Sequence, residues 1–245
     1  MTFNSTSNLS MAMANQISTD KLRKQGGFTL VELLIAMAVG GVVMAAVMTS
    51  FMSQHETYLA QDEVVEMQQN TRVALDMLSR DIRSIGYDPV RLGAGLTTTG
   101  IHDDNGTAAT LAFTRDDGTG KLETIEYSLI DAFASASPPR NDGRVDDLAR
   151  EETKAGKPSS GRQPVAENVS LLEFRYLDAS GYPTSKTNNV HAIQVSMMVQ
   201  AANPATKSPP AQQTYTTPSG AVWTSDNSYR SMFLTTTIHC RNLGF

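Results

Sequence analysis

From Phe28 to Met52 the chain reads FTLVELLIAMAVGGVVMAAVMTSFM, apolar apart from two threonines, one serine and a single carboxylate, Glu32. At about 1.5 Å rise per residue, a helix over this run is roughly 37 Å long, enough to cross a hydrocarbon core of about 30 Å. The run predicts a membrane span. Lys21, Arg23 and Lys24 stand to its left, Gln25 to Thr71 contains no lysine or arginine, and Glu56, Asp62, Glu63 and Glu66 follow on the right. The positive-inside tendency then keeps the short N-terminal arm in the cytoplasm and sends the large C-terminal part across.

Glu32 is the anomaly in that run. A carboxylate inside a spanning helix costs on the order of 2.5–3.5 kcal/mol at the centre and less near an end. Snorkelling to the nearby interface is the bland account. The neighbouring residues point elsewhere. Gly26-Gly27-Phe28-Thr29-Leu30-Val31-Glu32, preceded by basic residues and followed by about twenty apolar ones, resembles the class III signal of type IV prepilins and type II secretion pseudopilins. That pattern is glycine, then Phe or Met, three mostly apolar residues and a glutamate.

The resemblance implies cleavage between Gly27 and Phe28 by a membrane prepilin peptidase, methylation of the new Phe28 amine by the same enzyme, and Glu32 as an assembly residue. Glu32 would then pair with the positive amino terminus of a neighbouring subunit. The physics agrees, because a carboxylate in lipid is far less costly beside a cation in the same low-dielectric layer. The rival reading is an ordinary secretory signal peptide cut after Ala36-Met37-Ala38 or Val43-Met44-Ala45. Those sites lie inside the apolar run and would leave Gly40 to Met52 as an apolar new terminus.

Residues 1 to 20, rich in Ser, Thr, Asn and Met, read as a cytoplasmic arm lost with the leader. Beyond the span, Val64, Met67, Thr71, Leu75, Leu78, Ile82 and Ile85 recur at spacings of three and four, while most charges fall elsewhere. This is an amphipathic stripe. One helix from Phe28 to about Ile85 is predicted, ended by Gly86 with Pro89 beyond it. Gly40-Gly41 is its weakest point, and Asp76 and Arg80 form a weak surface pair one turn apart.

After Tyr87 the period changes to two. Ala109 to Thr114 and Leu122 to Ile130 read as a hairpin around Arg115-Asp116-Asp117-Gly118-Thr119-Gly120. Val169 to Leu177, Ile193 to Val199 and Tyr229 to Cys240 read as further strands, each with one buried face. Ser137 to Gln163 reads as a surface excursion with a short helix near Val145 to Thr153, and Ala202 to Gly220 as a loop. One long helix and about five short strands make an α+β fold, the helix stripe covering an antiparallel sheet.

The head motifs narrow the resemblance. Met67-Gln68-Gln69-Asn70-Thr71-Arg72-Val73-Ala74-Leu75, then Leu78-Ser79-Arg80-Asp81-Ile82-Arg83 with Gly86-Tyr87, then Val165-Ala166-Glu167-Asn168-Val169 leading into Leu172-Glu173-Phe174-Arg175-Tyr176, and finally Arg241-Asn242 are similar to PilW-type minor pilins and the related J-type pseudopilins. The implied division is a leader over 1–27, a transmembrane half-helix over 28–52, an amphipathic half-helix over 53–86 and a pilin-like β-rich head over 87–245. The implied role is a minor pilin in the priming or tip complex of a type IV pilus. The alternatives are a J-type pseudopilin of a secretion pseudopilus, or a membrane-anchored binding domain or enzyme outside any filament. Implied partners are prepilin peptidase, other minor and major pilins, the inner-membrane assembly platform and lipid, with the head in the periplasm.

A formal charge of -5 and a pI near 5.4 argue against a broad nucleic-acid surface. Cys240 is the only cysteine, which excludes an internal disulfide. His55, His102, His191 and His239 show no metal-ligand spacing, and His239 and Cys240, adjacent on a predicted strand, should face opposite ways. Gly118-Thr119-Gly120-Lys121-Leu122 lacks the first glycine and the Ser/Thr of a phosphate loop and reads as a turn. Asp103-Asp104-Asn105 and Asp142-Gly143-Arg144-Val145-Asp146-Asp147 could gather oxygens around calcium, but neither follows the calcium-loop spacing. No catalytic set emerges, and the expectation is a non-enzyme without cofactor or metal.

Overall fold

Helix α1 (Leu30–Ser84) is the longest element of the computed structural model, which describes residues 27–97, 107–130, 147–205 and 209–243. The leader through Gly26, His102, the Asp103-Asp104-Asn105 cluster and residues 142–146 lie outside them. The chain divides into two compact units, Met1–His55 and Glu56–Phe245, and α1 contributes to both.

Within the second unit the stripe along α1 is buried at Met67, Thr71, Ala74, Leu78, Asp81 and Ile82, with Ile85 just beyond the helix. Leu75 is half-buried and Val64 exposed, so the core-facing line is slightly rotated from the one its apolar residues alone predict. The Thr71 hydroxyl, buried on that line, donates to the Met67 carbonyl at 2.7 Å and is satisfied inside the helix. The helix stops where predicted. Gly86 takes φ +72°, open to glycine and strained for other residues, and its α-carbon lies against the C-terminal tail. An added Cβ would come within 2.8 Å of Leu243 Cδ2 and 3.0 Å of the Asn242 carbonyl oxygen. The Asn242 side-chain amide donates to the Arg83 and Ile85 carbonyls, both at 3.3 Å, closing part of the helix end from 157 residues downstream in the case of Ile85.

Among the described residues ten strands follow: β1 (Thr107–Ala108), β2 (Leu111–Asp116), β3 (Leu122–Ile130), β4 (Asp147–Lys154), β5 (Gln163–Ala166), β6 (Val169–Leu177), β7 (Ala192–Gln200), β8 (Thr214–Thr216), β9 (Val222–Thr224) and β10 (Ser231–His239). They form two four-stranded sheets, ordered β2-β3-β4-β5 and β1-β6-β7-β10, and a ribbon of β8 with β9; every pairing is antiparallel. The α+β expectation of a long helix on antiparallel strands holds, with the strands shared between two sheets.

One core joins the parts. Met67, Ala74, Leu78, Ile82 and Ile85 meet Phe113, Ile125, Tyr127 and Leu148 from the first sheet and Val169, Phe174, Tyr176, Ile193, Val195 and Met197 from the second. Asn168, at φ +60°, makes the turn from β5 into β6, a conformation asparagine tolerates better than most residues, and its carbonyl accepts the Gln200 amide at 2.8 Å.

The β2–β3 loop is the predicted turn. Asp116 Oδ1 accepts the Gly118 amide at 2.6 Å, and Asp117 Oδ1 accepts the amide and hydroxyl of Thr119 at 2.8 and 2.6 Å. Those Thr119 bonds hold the Asp117 carboxyl below its ordinary range.

Two expectations fail. The short helix near Val145 to Thr153 is instead strand β4, in register with β3 along its whole length. Leu148, Arg150 and Glu152 alternate onto one face there, and ladder hydrogen bonds override a weak local helix preference. The loop over Ala202 to Gly220 contains β8, whose partner β9 follows it. This ribbon covers the outer face of the second sheet. Phe233 stacks on Tyr215 and meets Trp223 edge-on, while Glu173 accepts the Ser219 hydroxyl at 2.7 Å. That cover is why β7 is buried on both faces and not only on the alternate positions its sequence pattern predicts.

Candidate functional site

The residues singled out in the N-terminal signal lie at the head of α1. Gly27, Phe28 and Thr29 precede the first helical turn in non-helical conformation, and Phe28 is 83% exposed. Thr29 caps the helix: its carbonyl accepts the Leu33 amide at 3.1 Å and its hydroxyl accepts the Glu32 amide at 3.2 Å. Thr29-Leu30-Val31-Glu32 thus has the spacing of a capping box, with Glu32 at the third helical position, where the helix dipole favours a negative charge. The bond to Thr29 uses the Glu32 backbone amide alone; the carboxylate is exposed, and no side-chain partner is found for it among the described residues.

From Phe28 through Leu59 the side chains are exposed all round, including Leu33, Val42, Met44, Met48 and Phe51. The most apolar window of α1 has a mean hydropathy of 2.4. Such a surface has no stable place in water, and the segment is long enough to cross a bilayer. No bend needs to be invoked for Gly40-Gly41, which lie within α1 and face open space.

The second charged constellation, which the sequence reading missed, lies inside the second unit. Asp81 sits on the buried stripe of α1 and accepts hydrogen bonds from Tyr127 Oη and Arg150 Nε, each at 2.8 Å, and from Arg115 Nη1 at 3.2 Å. Arg115 Nη1 also reaches the Ser84 hydroxyl at 2.8 Å, and its Nε meets Glu123 at 2.6 Å. Arg150 continues to Glu152 at 2.7 Å, and Lys154 lies 3.0 Å from Glu152 and 3.9 Å from Glu123. Three carboxylates thus balance three cations. The register explains the assembly: Arg115 stands opposite Glu123, Glu123 opposite Lys154 and Tyr127 opposite Arg150. Burial raises the Tyr127 pKa, reinforced by the Asp81 charge and hydrogen bond. Burial would lower that of Arg150, but the bonds to Asp81 and Glu152 outweigh it and hold the guanidinium charged. The network fastens α1 to the first sheet.

The remaining candidates stay apart. His55 stacks on Phe51, His191 Nδ1 lies 3.0 Å from the Asn189 carbonyl, and His239 is exposed. Cys240 packs against the core, and burial pushes its thiol up to about 12, which keeps it protonated at neutral pH. Among the described residues no group of three or more His, Cys, Asp or Glu is placed to hold a metal ion.

The family profile described as the prokaryotic N-terminal methylation motif matches residues 22–48, a stretch that contains Gly27, Phe28 and Glu32. No curated protein matches the chain. Among solved structures, a type IV-like pilin from Thermus thermophilus is similar over 73% of this chain and 98% of its own, at 14% identity and a TM-score of 0.47. The chain therefore carries a prepilin-type methylation motif leading into an apolar helix that marks a membrane anchor.

Proposed function

We propose that the chain is a minor pilin, similar to the PilW type, that takes part in the priming or tip complex of a type IV pilus. The observation that carries this reading is the methylation motif over residues 22–48, which runs directly into an apolar helix with a lone carboxylate on its first turn. In this reading residues 1–27 are the leader, 28–52 the membrane half of the helix, 53–86 its amphipathic half and 87–245 the periplasmic head. Prepilin peptidase cuts between Gly27 and Phe28 on the cytoplasmic side and methylates the Phe28 amine. Apolar helices of neighbouring subunits then pack side by side, and the Phe28 amine of one neutralises Glu32 of the next.

The charge arithmetic favours this route. A carboxylate alone in lipid is penalised by a few kcal/mol, and a cation in the same layer offsets part of that penalty. Mass spectrometry of the protein purified from membranes tests the processing step, with a methylated Phe28 as the expected first residue. A terminus at Val39 or Ala46 would sink it. Glu32→Ala tests assembly: insertion and head stability are expected unchanged, with incorporation into fibres lost. Deletion of the protein is expected to abolish surface fibres and twitching, whereas blocked protein export with fibres intact would transfer the subunit to a secretion pseudopilus.

A further inference from the structure

Strand β10 lies at the edge of its sheet and, among the described residues, pairs only with β7. Its ends fix which backbone groups point where. The Arg230 carbonyl accepts the Ala201 amide and the Cys240 amide donates to the His191 carbonyl, both turned toward β7. Antiparallel alternation then turns the even-numbered residues between them the same way and aims the N–H and C=O groups of Phe233, Thr235 and Thr237 out of the sheet. A row of this kind is a template for one more strand.

Beside that edge runs a cleft of about 1070 Å³ between β10 and the exposed flank of α1. Its floor is made by Leu75, Met232, Leu234 and Ile238, interrupted by Thr71 and Thr236, and its rim carries Arg72, Arg80, Arg83 and Arg241. One carboxylate answers these four cations, Asp76, which already holds Arg80 at 2.9 Å. A chain of net charge -5 thus gathers four arginines along the cleft beside β10.

We propose that this cleft docks an extended acidic segment of a partner protein, which adds as a strand beside β10, lays alternate apolar side chains on the floor and sets carboxylates toward the arginine rim. Main-chain bonds to an open edge supply affinity in such an arrangement, and alternate side chains supply selection. The charge decides against a second copy of this chain: two β10 edges brought together would set arginine rim against arginine rim. The site lies within residues 68–242 and does not rest on the filament reading.

The test uses the full chain in detergent micelles and a fluorescein-labelled peptide alternating glutamate with valine, read by anisotropy, with the lysine–valine peptide as its counterpart. The acidic peptide is expected to bind at least about tenfold more tightly, with the preference shrinking as salt rises. Thr237→Pro removes an outward N–H without touching the ladder to β7, and binding is expected to fall about tenfold while the thermal transition stays in place. Arg72→Glu combined with Arg83→Glu leaves the edge intact and is expected to reverse the preference between the peptides. Absence of binding, equal binding of both peptides, or a reversal variant that behaves as wild type overturns the proposal. So does self-association abolished by Thr237→Pro with the acidic peptide silent, which would assign the edge to a second copy.

Discussion

Helix α1 carries two carboxylates in apolar settings, and it treats them in opposite ways. Asp81 lies on the buried stripe of the second unit and receives three hydrogen bonds from Tyr127, Arg115 and Arg150, two of them ion pairs. Glu32 lies on the first turn of the apolar segment, exposed, with only its own backbone amide engaged by the Thr29 cap. The second unit settles its buried charge within one chain. A monomer in lipid leaves the other unsettled. The difference separates a charge satisfied inside the fold from one left exposed, and the two make opposite predictions for mutation.

The largest effect is expected at Asp81. Asp81→Ala leaves Arg115 and Arg150 partly buried with one counter-charge fewer and strips Tyr127 of its acceptor. Removing one partner from a buried pair costs about 3–5 kcal/mol, much of it the penalty of the charges left behind. Equilibrium denaturation in urea should show the head destabilised by about that amount; a loss below about 1 kcal/mol would mean the network is ornamental. Glu32→Ala should leave the same curve unmoved, which is what divides the two carboxylates.

Gly86→Ala comes next and probes the join between the helix end and the tail. The left-handed φ costs a Cβ-bearing residue about 1–2 kcal/mol, and the contact with Leu243 and the Asn242 backbone adds to it, because the backbone cannot swing aside as a side-chain tip can. A destabilisation of about 2 kcal/mol is expected in the same assay. A neutral result would show that residues 241–243 move freely and do not cap the helix.

Acid should expose the network more gently. Glu152 is held below the ordinary glutamate range by its hydrogen bonds from Arg150 and then Lys154. A carboxyl whose folded pKa is depressed contributes its full stabilisation above the unfolded value and loses it as pH falls through the folded one. Stability is therefore expected to be flat from about pH 7 to 5 and to decline below that. Asp88, whose carboxylate is held low by the amides of Ala94 and Leu92, and Asp117 act in the same direction. Glu152→Gln should therefore shrink the acid limb without removing it, and an unchanged limb would detach Glu152 from the network.

The long helix and the strands at Leu122–Ile130 and Val169–Leu177 were legible because burial on one face leaves a period, 3.6 or 2, that few polar residues interrupt. Glu32 was legible for the opposite reason, as one charge in a long apolar run. The Asp81 network was not, because Arg115, Glu123 and Arg150 occupy the same alternating face as Phe113, Ile125 and Leu148, where they read as interruptions of a core pattern. Only the pairing of β2, β3 and β4 shows that the interruptions meet. The cleft beside β10 was equally hidden: Arg72, Arg80 and Arg83 look like an ordinary solvated helix face until a strand some 150 residues later is laid alongside.

The smallest effect belongs to Asp76, five residues before Asp81 on the same helix. It too pairs with an arginine, at 2.9 Å and with the favourable spacing of one turn, yet its side chain is 71% exposed where that of Asp81 is 7% exposed. Water already solvates both partners there, so the pair exchanges hydration for a contact of similar free energy and immobilises two side chains to make it. Asp76→Ala should leave the urea midpoint within experimental scatter and unaffected by salt. Geometry alone would rank the two pairs as equals, and burial is what sets them apart. A measurable loss at Asp76 would mean that the arginine rim of the cleft depends on this carboxylate to hold Arg80 away from Arg83, and the Asp76→Ala chain should then change its affinity for the acidic peptide as well.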